Sequence, residues 1–259
     1  MEIHMNIAEL YEYLDGKIPA HLSCDWDNDG LMCCPDPDRE IRCVLIALDV
    51  TDKTVSTAIE GEYDLIISHH PLIFKPMRSV TPYNITSAKV IELIKNDISV
   101  MSFHTRLDAV KGGVNDELAE IFGLVGAEPF GPDGEELGRI GTLEKPMSFS
   151  EFAALVRDTL GCKSVFAADS GRYSYRIAVL GGSGSDFVEA AKRAGADTFV
   201  TGELGYHYLC DAPDNGINLI SAGHFHTENP VCDRIAELVS EADPYIEIDI
   251  FDSLSYEMI

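Results

Sequence analysis

Apolar positions follow two rhythms along this chain. At helical spacing they predict a helix over residues 6–15, opened by Asn6 as a cap and ended by Gly16. As continuous runs closed by polar residues or Pro they predict buried parallel strands at Cys43–Val50, which ends at Asp49, at Leu65–Ser68, and at Ile98–Ser102. Helices from about Thr51 to Ile59 and from Ser87 to Lys95 link these strands into a right-handed βαβ succession. An amphipathic helix over Val114–Phe122 follows. Between helix and first strand, the polar stretch Asp25–Leu31 holds the chain's single tryptophan, Trp26, and is expected to be a loop anchored by that ring, with a site-lining role as its functional reading.

The pattern then repeats. After a connector rich in Gly, Pro and acids at 126–138 come a strand at Arg139–Leu143, a helix at Ser150–Arg157 and a strand at Arg176–Leu180. A helix near Phe187–Ala194, a strand at Thr198–Thr201 and a strand at Gly216–Ser221 complete the second series. Glu62-Tyr63-Asp64-Leu65 and Gly195-Ala196-Asp197-Thr198 fall at matching points. The expected fold is therefore α/β, with two related lobes at 1–125 and 126–259 and a site in the cleft between them. The alternating closing segment, Tyr245–Ile250, reads as a half-exposed strand that can pack back on the first lobe or contribute apolar surface to an oligomer.

Chemistry collects just after the predicted strands. His69 and His70 close the Leu65–Ser68 strand, where open α/β sheets place ligands. His104 with Asp108, and His224 with Glu228, each set an imidazole four residues before a carboxylate, on one face of a helical turn. Four histidines and two carboxylates are a donor set for zinc, iron, manganese, cobalt or nickel, enough for two divalent ions sharing one carboxylate. Gly181–Gly184 lacks the spacing of a dinucleotide or P-loop fingerprint and is expected to be a tight strand-to-helix turn. His207 and His226 are candidate substrate or supporting groups, and Lys75, Arg78, Arg106 and Lys111 candidates to offset phosphate charge.

Composition narrows the classes. A net charge of −25 repels phosphate backbones, which weighs against nucleic acid as a partner but leaves room for a nucleotide bound through metal ions. Seven scattered cysteines without a C-x-x-C pair read as reduced thiols, with Cys33-Cys34 as packing residues. No run of ~20 apolar residues occurs, and the start Met1–Asn6 has no basic-then-apolar layout, so a cytoplasmic protein without membrane contact is expected.

Trp26-Asp27-Asn28-x-Gly30-Leu31, Ser68-His69-His70-Pro71-Leu72, His104-Thr105-x-Leu107-Asp108 with Gly113–Asp116, Thr201-Gly202-Glu203 and Gly223-His224-x-x-Thr227-Glu228 together resemble the dinuclear-metal family known as Nif-three-like, or GTP cyclohydrolase I type 2. The resemblance runs from about residue 6 to residue 230. It implies a two-lobed subunit of the short form without an inserted domain, a toroidal homohexamer, and His69, His70, His104, Asp108, His224 and Glu228 as metal ligands. Asp29 and His226 depart from the family pattern, as does the acidic C-terminus. The function expected is a dinuclear metal-dependent hydrolase of a nucleotide or related small substrate, with Glu228 and Asp108 as catalytic carboxylates. The alternative is a non-catalytic metal-binding, metal-delivery or adaptor protein.

Overall fold

Asn6 opens the first helix as expected: its side chain accepts the Glu9 N–H while the Glu9 carboxylate accepts the Asn6 N–H. The computed structural model describes residues 5–132 and 134–257; the N-terminal stretch Met1–His4 and residue 133 of the connector lie outside them. After α1 (Ile7–Lys17) the chain forms β1 (Gly30–Cys33), β2 (Cys43–Ala47), α2 (Asp52–Glu60), β3 (Leu65–Ser68), α3 (Ile85–Lys95), β4 (Ser99–Ser102) and the short α4 (Thr105–Ala109). Next come α5 (Val114–Ile121), β5 (Val125–Phe130) and β6 (Gly138–Met147). The second series is α6 (Phe149–Thr159), β7 (Phe166–Ala168), β8 (Ser174–Ser183), α7 (Val188–Arg193), β9 (Thr198–Glu203), α8 (Tyr206–Asn215), β10 (Asn218–Ser221) and α9 (His224–Glu228). The chain closes with α10 (Val231–Ala242) and β11 (Glu247–Phe251).

Two sheets result, ordered β1-β4-β3-β2-β11 and β5-β6-β8-β9-β10-β7. In each, three consecutive parallel strands (β2-β3-β4 and β8-β9-β10) carry an antiparallel edge strand, β1 on β4 and β7 on β10, that precedes them in sequence. Each sheet also has the same polar clip. The Asp64 carboxylate accepts the N–H groups of Arg42 and Cys43 at 2.8 and 3.2 Å, and the Asp197 carboxylate those of Tyr175 and Arg176 at 3.0 and 2.7 Å. The two phrases matched in the sequence thus do the same structural work.

The chain divides elsewhere than at the expected 125/126 boundary. One unit comprises residues 5–110 and 231–256; the other comprises 111–230 and Glu257. The helix and strand that end the first series, α5 and β5, belong to the second unit, where α5 packs on β8 and β5 pairs with β6. Those that end the second series, α10 and β11, belong to the first, where β11 lies parallel to β2 with Ile248 opposite Val44. The physical reason is the apolar face each helix presents: α5 adds Leu118 and Ala119 to a core with Phe152, Val179 and Ile220. The first unit's core gathers Leu45, Ile66, Leu93 and Val100, with Phe251 of β11 packed against it. Along the closing strand Ile246 is buried, Ile248 half-buried and Ile250 exposed, so it does not present one uniform apolar face.

Two further expectations are corrected. The connector begins as β5, an edge strand with an irregular register between Val125 and Glu128; Gly126 and Pro129 disguise it, because an edge strand tolerates both. Gly181 and Gly182 are not a turn but the end of β8, and their N–H groups donate to Asn115 Oδ1 and Thr227 Oγ1 at 2.8 and 3.1 Å. They are committed within the protein and cradle no phosphate.

Candidate metal centre

The carboxyl ends of β3 and β4 deliver the candidate donors of the first unit. One ligand atom from each of His69, His70 and His104 lies within 4.8 Å of the other two. Their ring centroids are 5.0, 5.3 and 5.7 Å apart. Each imidazole is held through Nδ1: His69 by the Phe103 carbonyl at 2.9 Å, His70 by Asp49 Oδ1 at 2.8 Å, and His104 by Asp27 Oδ1 at 2.8 Å. A carbonyl or carboxylate can only accept, so Nδ1 carries a proton and, in the neutral ring, Nε2 is the nitrogen that presents the lone pair. That is the tautomer a divalent ion requires, with the outer partner that orients metal-bound histidine. Asp108 joins the set one helical turn on from His104, its Oδ1 3.8 Å from His69 Nε2.

His104 is fixed by the loop that precedes β1. Asp27, fully buried, accepts from its ring and also from the N–H and hydroxyl of Thr105, at 3.0 and 2.6 Å. Burial by itself would raise the Asp27 pKa; the bonds from His104 and Thr105 outweigh it and hold the carboxyl well below the usual range. Asp29 accepts the His104 backbone N–H at 3.1 Å and pairs with Arg106 Nε at 3.1 Å. Arg106 is 1% exposed and also binds Asp15 at 2.6 Å, so it is an internal strut and is withdrawn as a phosphate contact. Lys75, Arg78 and Lys111 are exposed.

In the second unit, β10 leads through Gly223 into α9, which places His224 Nε2 3.0 Å from the buried Glu228 carboxylate. Glu203, at the end of β9, lies 3.5 Å from His224 Nδ1. Gly182, at φ +67°, makes room for this pair: a Cβ there would stand 3.2 Å from His224 Nε2 and closer still to Glu228 Oε1. The donors fit one class of group: neutral imidazoles and carboxylates without thiolate suit a borderline divalent cation. Burial pushes the Cys33 thiol up to about 11, in keeping with a packing residue. His207 and His226 lie edge-on to Tyr206 and Phe225 respectively.

The structure thus brings four of the six expected residues together in one unit and pairs the other two in the second. Sequence reasoning placed Asp27 in a site-lining loop, Glu203 in a motif and Asp49 at a strand end, but assigned none of them to a histidine. A carboxylate at a strand end or in the loop before an edge strand was the available signal.

The protein-family model Duf34/NIF3 (NGG1p interacting factor 3) matches residues 5–255. A curated relative from Clostridium perfringens, named GTP cyclohydrolase 1 type 2 homolog, is 36% identical over 92% of each chain. A second of the same name, from Clostridium acetobutylicum, is 34% identical over 87% of this chain and 86% of its own. Among solved structures, a Staphylococcus aureus protein matches with a TM-score of 0.87 at 29% identity, covering 98% of this chain and 99% of its own.

Proposed function

The chain belongs to the Duf34/NIF3 family, and from that premise we propose that it is a divalent-metal-dependent hydrolase of a nucleotide or related small substrate. The observation that carries the reading is the anchoring of three clustered imidazoles through Nδ1, which commits three Nε2 donors to one locus. In this reading His69, His70, His104, Asp108, His224 and Glu228 would hold two divalent ions. When bound, such ions supply a Lewis acid and a water acidic enough to attack near neutral pH. The chain's own part is positional. Asp27 and Asp49 orient the imidazoles, and Asp108 and Glu228 are the carboxylates able to take a proton from an attacking water. The relatives' name supplies the nucleotide, and a cytoplasmic homohexamer belongs to the same reading. No helix among the described residues is long and apolar enough to cross a membrane.

The test is elemental analysis of untagged protein, followed by a turnover screen over nucleotides and cyclic amides with Glu228→Gln beside the wild type. Metal at two per chain, and saturable turnover lost in the variant at unchanged fold, are expected. Metal passed to an apo-enzyme without turnover on any substrate would replace hydrolysis by delivery.

A further inference from the structure

Two large rings stand in solvent beside the imidazole cluster. Trp26 is 55% exposed and Phe74 43%, although rings of this size usually bury most of their surface. Each lies 6.1 Å from the His104 ring and 6.2 Å from the other, all three pairs edge-to-face, with interplanar angles of 76° to 90°. The arrangement is fastened from below. Asn28 Nδ2 donates to the Ile73 carbonyl, lacing the Trp26 loop to the Phe74 segment, and Asp27 ties the same loop to His104 and Thr105. The rings are therefore held next to the candidate donor set, and their exposure is built in.

We propose that Trp26 and Phe74 form a stacking subsite for the planar heteroaromatic ring of the substrate, a nucleobase, next to His104. The inference rests on the metal-dependent reading above and names the part of the substrate that the chain itself grips. Electrostatics favour this mode. The chain carries −25, and Arg106, the cation nearest His104 in sequence, is spent on Asp15 and Asp29. Stacking recognises a ring without needing a field of opposite sign. Two exposed cations, Lys75 and Arg78, follow Phe74 in the chain and are the candidates to meet a nucleotide's phosphate.

Trp26 is the only tryptophan, so its fluorescence reports the subsite directly. Zinc-loaded full-length protein is titrated with guanosine monophosphate and with ribose 5-phosphate, which has the phosphate and sugar but no base. Saturable quenching by the nucleotide alone is expected, with affinity about tenfold weaker in Phe74→Ala and in Phe74→Leu, and with zinc affinity unchanged by calorimetry. Equal affinity for the two ligands, or unchanged nucleotide affinity in both variants, would overturn the subsite. The two readings fail separately. Zinc binding with turnover but no base-dependent quenching removes the subsite and leaves the hydrolase; quenching without turnover on any nucleotide removes the hydrolase and leaves a binding site.

Discussion

A histidine becomes a dependable metal donor through what its far nitrogen does, and here the partners differ in a way that can be measured. Asp27, which orients His104, is fully buried, whereas Asp49, which orients His70, is 42% exposed. Water can replace the second partner far better than the first. Asp27→Ala is expected to weaken zinc affinity by about 10- to 100-fold, and Asp49→Ala by clearly less, both read by calorimetry. Gly182→Ala is expected to displace Glu228 and to cost about 1–3 kcal/mol in urea unfolding, since it adds a methyl group at φ +67° against that carboxylate. The histidines were legible because each follows an apolar run and repeats at fixed spacing. Asp27 was not, because an Asp in a polar loop is the ordinary composition of a turn, and only the folded chain brings it to His104 across 77 residues.

Among elements, Asp64, which clips the start of β2, carries a pH dependence of stability. Burial would raise the Asp64 pKa; the Arg42 N–H, the Arg39 guanidinium and the Cys43 N–H outweigh it and lower the value in the folded state. A depressed carboxylate contributes stability in full above its unfolded value of ~3.9 and loses it as pH falls through the folded value. Urea unfolding of the wild type is therefore expected to weaken below about pH 4, and Asp64→Ala to cost roughly 3–5 kcal/mol at neutral pH with a flatter acid limb. The parallel strands were readable as apolar runs. The edge strand β7, three residues long and exposed at Phe166 and Ala167, carries too little pattern to read. Helix α8 was missed because it contains Pro213, the strongest helix-breaking signal, which it accommodates in its last turn before Gly216.

At the scale of the molecule, the sequence repeat and the folded units do not coincide, since each series ends with a helix and strand that serve the other unit. A lobe boundary drawn from the repeat therefore falls after the first residue of β5, inside the second unit. Ending the chain at Pro244 would remove β11, uncover the edge of β2 and expose the surface under Ile246 and Phe251. The expected loss is about 3 kcal/mol or more, with aggregation through the bared strand, followed by urea unfolding and light scattering.

The same exchange sets an order on biosynthesis. Residues 111–230 are contiguous and can close their sheet as soon as they leave the ribosome, whereas the sheet bearing His69, His70 and His104 waits for a strand that ends at Phe251. At 5–20 residues per second the wait after Val110 is on the order of 10 s. The part of the chain made first is thus finished last, and the imidazole cluster gains its complete scaffold only after Phe251 has been made.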